Sequence, residues 1–460
     1  MKKIWIIVLF IPFIANGQKE DPNFVKALFD TALSNQQGHE WLRYLCKEIG
    51  ARPSGSQAAD EAAYWTRDLM MEVGFDTAWL QPVRVPHWVR GSGEKGMFHL
   101  KGEEMELSIC ALGGSIPTPA DGLRAKVFEV DHFSELQNLD PEKVRGKWLF
   151  LNEPMDPKFL NTGFAYGTAG VQRWAGAVEA ARLGAVGVIV RSLTLRHDDH
   201  PHTGSMSYSS EVEKIPASAI STMDAEMLSN YIKLDPDLEV SITLTCQDLG
   251  MTTGYNVIAD VFGSEKPDEI VVVGGHLDSW DMAEGAQDDG VGSMQSIESV
   301  WLLLKAGYQP RRTHRVVLFM NEEFGLNGAR KYAEWSREKG VKNVIGMESD
   351  SGSGIPRGFS IQGTDSTVSI IRSFREALLP YGLFEFSQGG SGADIGQLQS
   401  DDVILLGFRP DNQRYFDYHH AVTDVFESVH PREFELGSAS MAAMLYLLDV
   451  NLVYAGPASK

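Results

Sequence analysis

The sequence predicts an α/β fold, in which a mostly parallel sheet is sandwiched by helices and a smaller α/β domain is inserted. Three observations lead to this prediction. From residue 255 onward, short runs rich in Val and Ile alternate with longer helical patterns. Residues 113–248 show a similar alternation of their own. Several apolar runs end in segments rich in Asp, Glu and His. Near-continuous apolar strands that alternate with helices are typical of a parallel sheet covered on both faces.

Residues 1–17 read as a secretion signal. Two lysines precede an apolar run at residues 4–14, and small residues follow at 15–17. The apolar run is too short for a membrane helix, which needs about 20 residues. We therefore expect cleavage before Gln18 and export to the periplasm or the extracellular space. No later run is long and apolar enough to span a bilayer.

The first part of the main domain is predicted at residues 18–112. Apolar residues recur there at helical spacing in three stretches, and a Gly- and Pro-rich break separates the second stretch from the third. The predicted helices are 23–35, 38–49 and 56–73, and an alternating strand-like pattern follows at 84–107.

Residues 113–248 are predicted to form the insert. Its predicted strands are 126–130, 146–151 and 185–190, and its predicted helix is the Ala-rich stretch 171–183. A polar loop at 196–210 contains His197, His200 and His202. We expect this loop to be solvated, because polar loops usually lie on the surface; a lid or a substrate contact is the alternative.

The main domain resumes at residues 249–460 with a repeated order of strand, loop and helix. Ligands of such sheets gather outside the carboxyl ends of the strands. The predicted strands are 269–274, 315–320, 343–347 and 403–407, and the predicted helices are 290–305, 328–339, 366–379 and 433–452.

Composition excludes some partners. The formal net charge is −21 and the pI is near 5.0, which argues against nucleic acid as a partner. Three cysteines do not make a disulfide framework, so we expect buried thiols. A Cys110–Cys246 disulfide is the alternative, because these two residues flank the insert.

Five segments carry residues that bind metals. They are GGHLDSWD at 274–281, GAQDDGVG at 285–292, FMNEEFG at 319–325, GMESDSG at 346–352 and YHHAVTD at 418–424. Carboxylate and imidazole are the usual ligands of catalytic zinc. A further carboxylate beside a ligand is what metal-assisted hydrolysis requires as a proton carrier.

Individual residues can be ranked within these segments. His276 follows a strand, and Asp278 is placed to bond its far nitrogen. Asp288 is the candidate for a bridging carboxylate, with Asp289 as its support or as a helix cap. Of the adjacent pair Glu322 and Glu323, one can bind metal while its neighbour moves protons.

Two choices stay open from spacing alone. Glu348 and Asp350 point the same way if their strand continues. His419 and His420 are both candidates, and Asp424 lies close enough along the chain to orient the ring of His420. Two histidines and three acids would suit two zinc ions per chain, because imidazole favours zinc over magnesium or calcium.

The five segments resemble the signature of the co-catalytic zinc exopeptidases, which include leucine-type bacterial aminopeptidases and glutamate carboxypeptidases. Their order and spacing are most similar to the carboxypeptidase Q branch, whose members are secreted and act on dipeptides. The resemblance covers residues 255–452, and the helices before residue 73 fit the family's opening. Residues 113–248 resemble the protease-associated domain that this branch carries as an insertion.

The resemblance implies a role for each residue, with His276, Glu323, Asp350 and His420 as zinc ligands and Asp288 as the bridge. It implies Glu322 as the general base and Asp278 as the acid that orients a ligand, and it favours Asp350 over Glu348 and His420 over His419. Gln287 stands where many relatives have another residue type, so the groups around the metal ligands are expected to differ from theirs. Arg409 and Arg414 are only candidates for contact with a substrate carboxylate.

The predicted activity is that of a secreted di-zinc exopeptidase acting on dipeptides or short peptides. A broad zinc aminopeptidase is the nearest alternative, followed by a single-zinc glutaminyl cyclase. A non-enzymatic module of transferrin-receptor type is disfavoured, because every ligand position is filled. A homodimer is implied by resemblance alone.

Overall fold

The computed structural model describes residues 21–400 and 402–451. The predicted secretion signal therefore lies outside the described residues and stays a prediction. Among the residues that the structure does describe, no helix is long and apolar enough to cross a membrane.

The described chain forms sixteen strands and twelve α-helices. The strands are β1 (Thr77–Val89), β2 (Lys95–Leu100), β3 (Glu103–Leu107), β4 (Ile109–Ala111), β5 (Leu123–Val130), β6 (Trp148–Leu151), β7 (Gly187–Arg191), β8 (Ala217–Ile220), β9 (Glu239–Thr243), β10 (Gln247–Val261), β11 (Lys266–His276), β12 (Arg312–Phe319), β13 (Lys342–Glu348), β14 (Pro356–Gln362), β15 (Glu385–Gln388) and β16 (Ile404–Pro410). The helices are α1 (Pro22–Asn35), α2 (Gln37–Tyr44), α3 (Gln57–Glu72), α4 (Thr162–Ala169), α5 (Val171–Trp174), α6 (Gly176–Arg182), α7 (Thr222–Leu234), α8 (Val291–Lys305), α9 (Asn327–Lys339), α10 (Asp365–Ser373), α11 (Arg375–Leu378) and α12 (Pro431–Asn451).

The main sheet has eight strands in the order β1-β10-β12-β11-β13-β16-β14-β15. The four central strands, β12, β11, β13 and β16, are parallel. Strands β1, β10 and β12 pair antiparallel on one side, and β14 pairs antiparallel with β16 on the other. The sheet is therefore mixed, and the expectation of a mostly parallel sheet holds only for its centre. These antiparallel neighbours are not hairpins, because β11 and α8 lie between β10 and β12 in the chain, and β15 lies between β14 and β16.

Helices cover both faces of the main sheet. Along β11, Val271 and Val273 pack with α8 and α12 in one apolar core, whereas Val272 packs with α9 in another. This division follows from the strand period of two, which sends successive side chains to opposite faces. The central strands are therefore buried on both faces, as their apolar sequences predicted.

A second sheet of eight strands has the order β3-β2-β9-β5-β6-β7-β8-β4 and is also mixed. We call this part of the chain, residues 95–243, the second region. It begins before residue 113, and the division into domains stays a prediction. Strands β1 and β10 lead into and out of it, and Val89 pairs with Gln247 at the far end of their ladder.

Most predicted elements are confirmed within a few residues. The predicted helix 171–183 is instead two short helices, because the backbone leaves the regular helix at Ala175. Strands β14 and β15 were not predicted. Cys46, Cys110 and Cys246 are buried free thiols, so the expectation of buried thiols is confirmed.

Candidate metal centre

The candidate metal ligands begin at the carboxyl ends of three neighbouring strands. His276 is the last residue of β11, Glu322 and Glu323 follow β12, and Asp350 follows β13. Because β11 pairs in parallel with both of its neighbours, these three chain ends meet at one edge of the sheet.

Asp288 lies at the centre of the cluster, just before α8. Its Oδ1 atom is 3.2 Å from Nε2 of His276, whose Nε2 is also 3.8 Å from Oδ1 of Asp350. Its Oδ2 atom is 3.2 Å from Nε2 of His420, whose Nε2 is also 3.1 Å from Oε2 of Glu323. One carboxylate thus faces two groups of donors, which we call the His276 half (His276 and Asp350) and the His420 half (His420 and Glu323).

Neighbours along the chain hold His276. Its Nδ1 atom is 2.8 Å from the backbone carbonyl of Asp278, and its backbone N–H donates to Oδ2 of Asp289. The Asp278 carboxylate lies 4.0 Å from Nδ1 and instead accepts from the backbone N–H groups of Asn321 and Glu322. We expected the carboxylate of Asp278 to orient the ring, but its carbonyl occupies that place.

Distant parts of the chain hold the His420 half. Nδ1 of His420 is 3.2 Å from the carbonyl of Thr203 in the second region, and the Thr203 N–H donates to the His420 carbonyl. This contact holds His420 at φ 64°, which is uncommon outside glycine. The indole N–H of Trp280 donates to Oε2 of Glu323 at 2.6 Å.

The expectation that Asp424 orients the His420 ring is wrong. Its two carboxylate oxygens accept from the backbone N–H groups of Gln287 and Asp288. Asp424 therefore holds the loop that carries the central carboxylate, and the carbonyl of Thr203 takes the place beside His420.

The structure separates the alternatives that spacing left open. Glu348 turns away and accepts from the backbone N–H groups of Ala393 and Ile395, whereas Asp350 faces His276. His419 stacks on His420, and its Nε2 atom lies 3.6 Å from Oδ2 of Asp288. Both histidines thus lie near Asp288, but only His420 also contacts Glu323.

The unpaired oxygens of the cluster fit metal ions. Oε1 of Glu323 is buried and accepts no hydrogen bond, and Oδ2 of Asp288 is buried with only the ring nitrogens of His419 and His420 close to it. Buried carboxylate oxygens without partners are costly unless a cation binds them. The mixture of imidazole and carboxylate in each half suits zinc.

Comparisons with known proteins agree with this geometry. The model of peptidase family M28 matches residues 256–444. Carboxypeptidase Q from Xenopus laevis is 34% identical over 427 residues, which cover 92% of this chain and 88% of that protein. Carboxypeptidase Q from Homo sapiens is 32% identical over 426 residues, with the same two coverages.

The chain belongs to peptidase family M28. A crystal structure of a peptidase M28 precursor from Shewanella amazonensis SB2B is 35% identical to this M28 peptidase, with a TM-score of 0.89, and the match covers 94% of this chain and 97% of that one. A zinc aminopeptidase from Bacillus subtilis shares the fold at 20% identity, with a TM-score of 0.63 over 93% of this chain and 96% of that one. The prediction of a zinc metallopeptidase is confirmed at the level of the family.

Electrostatics at this M28 centre favour a bound cation. Burial raises the pKa of Glu323, Asp350 and Glu322, and neighbouring acids raise all three further. Burial alone would lower the pKa of His420, but Glu323 and Asp288 outweigh it and raise this pKa to about 10. Burial and the close spacing of these acids both oppose their ionisation, and a divalent cation bound among them would offset this cost.

A cavity of about 1360 Å³ opens beside the centre. Glu322, Glu323, Asp288, Asp350 and His420 all line it. Its outer wall combines two parts of the chain, because residues 159–164 of the second region approach the loop at 411–413. Gln413 donates to the Leu160 carbonyl and Thr162 donates to the Asn412 carbonyl across this contact.

Sequence reasoning missed the position of two residues near the centre. His202 was expected in a solvated loop, but it is only 3% exposed and its Nδ1 atom lies 2.7 Å from the His419 carbonyl. Arg173 lines the cavity and was not singled out. Of the two arginines that were, Arg409 lines the same cavity, whereas the side chain of Arg414 is 70% exposed and lies outside it. No local motif marks Arg173, and nothing in the polar loop distinguishes the buried His202 from its other two histidines.

Proposed function

We propose that this M28 peptidase is an exported di-zinc exopeptidase that hydrolyses dipeptides or short peptides. The observation that supports two ions is the position of Asp288, whose two carboxylate oxygens face two separate groups of donors. A carboxylate shared in this way is typical of two-metal hydrolases, whose ions lie about 3.5–4 Å apart.

Each half would supply ligands for one ion. His276 and Asp350 would hold one zinc ion, His420 and Glu323 would hold the other, and Asp288 would bridge the two. The chemistry that zinc supplies in such a site is polarisation of the scissile carbonyl and a lower pKa for the attacking water.

Glu322 is the proposed general base. It lines the cavity beside the donors, but it makes no ion pair with His276 or His420 among the described residues. Burial and the neighbouring acids raise its pKa well above the usual range, so it can accept a proton and later release it. Glu322 would take the proton of the attacking water and deliver it to the amine of the leaving product.

The proposed role of Asp278 is to hold Glu322 in place. Its Oδ1 atom accepts from the backbone N–H groups of Asn321 and Glu322, which fixes the turn after β12. Asp278 also supports His276 through its carbonyl. One buried residue therefore positions a metal ligand and the proton carrier together.

Short peptides are the proposed substrates. The ligands lie within a cavity, and the outer wall formed by residues 159–164 and 411–413 limits the length of chain that can extend from the scissile bond. Relatives that align over nine-tenths of this chain carry the name carboxypeptidase Q. Trimming of longer peptides from their N-termini is the competing activity.

Three further parts of the proposal rest on sequence and resemblance. They are export after removal of residues 1–17, the identity of the insert at residues 113–248 as a protease-associated domain, and assembly into a homodimer. Mass spectrometry of the mature protein tests cleavage before Gln18. Light scattering tests the homodimer, because it measures the mass of the protein in solution.

Metal analysis combined with a substrate panel tests the central proposal. Purified protein is expected to contain close to two zinc ions per chain, and chelation should abolish hydrolysis until zinc is restored. A free dipeptide should be cleaved faster than an N-blocked dipeptide or an aminoacyl-anilide. One zinc per chain would contradict the two-ion site, and a preference for the anilide would identify an aminopeptidase.

A further inference from the structure

We propose that Arg52 is a positioning residue of the metal centre, which fixes the separation of His276 and Asp288. It does so through residues 277–285, the loop between these two donors, which we call the connecting loop. This inference rests on the proposed zinc site and extends it by naming a residue that does not line the substrate cavity. Arg52 belongs to the Gly- and Pro-rich break at residues 50–55, to which none of the metal-ligand segments belongs.

The Arg52 guanidinium donates to backbone carbonyls at both ends of the connecting loop. Its Nε atom is 2.6 Å from the carbonyl oxygen of Leu277. Its Nη1 atom is 2.6 Å from the carbonyl oxygen of Glu284, and its Nη2 atom is 2.8 Å from that of Gly285. A further bond from Nη1 reaches the Gly50 carbonyl at 3.3 Å. One planar group thus joins the start of the loop to its end.

The backbone around Arg52 is itself held in place. The Arg52 N–H donates to Oγ of Ser279, and its carbonyl accepts from the Ser279 N–H. Two residues further on, Oγ of Ser54 accepts from Nδ2 of Asn321 at 2.8 Å, in the turn just before Glu322. The break is therefore bonded to the connecting loop and to the turn after β12, so the position of Arg52 does not depend on its guanidinium alone.

Arg52 is a buried cation without a carboxylate partner. Its side chain is 0% exposed, and within the part of the chain that the structure describes, all the acceptors of its guanidinium are backbone carbonyls. A buried charge is costly unless hydrogen bonds satisfy it, and these carbonyls do so. In return, loss of the guanidinium would leave the carbonyls of Leu277 and Glu284 without these donors.

Both ends of the connecting loop lead to donors of the metal centre. Leu277 directly follows His276, and Gly285 precedes the turn that carries Asp288. Two donors of one zinc site, His276 and the shared carboxylate, therefore depend on the Arg52 contacts. The His420 half depends on them only through Asp288. We therefore expect Arg52 to affect the His276 half more strongly.

A purely electrostatic role for Arg52 predicts the opposite change in metal binding. Its charge interacts with the carboxylates of Asp278, Asp289 and Asp424 behind the ligands. A positive charge beside acidic ligands opposes the binding of a divalent cation, so its removal alone would tighten zinc binding. Positioning through hydrogen bonds predicts weaker zinc binding. The sign of the change therefore distinguishes the two roles.

Competition with a chelator measures zinc affinity at each site. Arg52→Lys keeps the charge but loses the planar set of donors, so zinc affinity of the His276 half should fall by about 10- to 100-fold. The affinity of the His420 half should fall less. Arg52→Met removes the charge as well and should also weaken zinc binding. If Arg52→Met does not fold, Arg52→Lys alone decides the test.

Two further measurements separate positioning from a general loss of stability. The visible absorption spectrum of the cobalt-substituted protein reports the geometry of the metal ligands and should change in Arg52→Lys. At saturating zinc, kcat of this variant should fall by about 10-fold. Its KM should change by less than about twofold, because Arg52 does not line the cavity proposed for the substrate.

Arg312→Lys is the matched control. Arg312 is also buried, but it lies at the start of β12, at the opposite end of this strand from Glu322, and it pairs with Glu269 at 2.8 Å. This variant should lower Tm without a change in zinc affinity, in the cobalt spectrum or in kcat.

Several outcomes would overturn the inference. Unchanged zinc affinity and an unchanged cobalt spectrum in Arg52→Lys would exclude a positioning role, as would a loss confined to the His420 half. Tighter zinc binding in Arg52→Met would assign Arg52 an electrostatic role. Equal losses of zinc affinity in Arg52→Lys and Arg312→Lys would reveal a general effect of stability. A wild-type protein that binds no zinc would instead refute the proposed function itself.

Discussion

The two halves of the donor cluster are held in different ways. In the His276 half, the ring contacts a carbonyl two residues away, and both donors follow adjacent parallel strands. In the His420 half, the ring contacts the carbonyl of Thr203, which is 217 residues away in sequence. Trp280, which bonds Glu323, is 43 residues away from it.

This difference shows that the main sheet positions the His276 half, whereas the second region contacts His420. The register of β11 and β13 brings the carboxyl ends of these strands, and with them His276 and Asp350, close together. His419 and His420 are contacted instead by His202 and Thr203 of the second region. We infer that changes in the second region alter the His420 half selectively.

Replacement of the shared carboxylate should produce the largest effect. Asp288→Ala removes a ligand from both halves at once, so both zinc ions should be lost and hydrolysis should fall below detection. Metal content measured by plasma mass spectrometry checks this. The matched variant His276→Ala removes a ligand from one half only and should retain about one ion. Retention of two zinc ions in Asp288→Ala would show that the two halves do not share the Asp288 carboxylate.

Loss of the proposed proton carrier, Glu322, should produce the second largest effect. Glu322→Gln belongs to neither half, so both zinc ions should remain while kcat falls by roughly 10²- to 10⁴-fold. Steady-state kinetics alongside metal analysis separates the two quantities. Near-normal turnover in this variant would remove Glu322 from the mechanism.

A smaller effect should distinguish the halves themselves. Trp280→Phe deletes the N–H that bonds Glu323, so zinc affinity of the His420 half should fall by about 10- to 100-fold while the other site keeps its affinity. Competition with a zinc chelator resolves the two sites. Trp88→Phe is the control, because Trp88 makes its indole bond to Ser115, away from the metal ligands. Equal weakening of both sites would mean that the halves are not independent.

The smallest effect concerns a buried pair of acids that lacks any histidine. Glu298 and Glu435 accept from the backbone N–H groups of Gly38 and His39 at the start of α2. Burial raises the pKa of Glu298 to about 7, and burial together with the charge of Glu298 raises the pKa of Glu435 to about 9. Two acids without a cation or an imidazole thus retain protons instead of binding metal.

This pair makes stability depend on pH in a defined direction. Between the ordinary value of 4.5 and the raised values, the folded protein holds more protons than the unfolded chain. The stability that this pair contributes should therefore be fully present below pH 4.5 and should be lost as pH rises toward 9. In Glu435→Gln this decline of Tm between pH 5 and 9 should be smaller by ~2–4 °C. The exposed variant Glu338→Gln should follow the wild type, and parallel Tm curves for Glu435→Gln would contradict the assignment.

The two halves also mark how far the sequence predicted the site. His276, Glu322, Glu323 and Asp350 follow apolar strands, and parallel strands bring their carboxyl ends to one edge, so strand patterns alone placed these residues together. The mixed edges of the sheet were not predicted, because the direction of pairing there is set by partners that are distant in the chain, β1 with β10 and β14 with β16.

Contacts between distant segments could not be predicted from local patterns. Asp424, four residues from His420, was the nearest acid in the chain, but the carbonyl of Thr203 takes that place because the second region folds over the loop. Because every residue type has a backbone carbonyl, the sequence does not mark which one will contact His420. Arg173 was missed for the same reason, since its surroundings come from α4, α5 and the loop before His420.

The ladder between β1 and β10 has a consequence for how such a chain could be built. Because Val89 and Gln247 are paired neighbours, the points where the chain leaves and rejoins the main sheet are already adjacent. A replacement of the intervening residues could therefore begin and end at two points that already lie side by side. The same exchange would take away the Thr203 carbonyl beside His420 and the apolar side chains that pack on Trp280. Exchange of the residues between Val89 and Gln247 is therefore expected to alter the support of His420 and the wall of the cavity in one step.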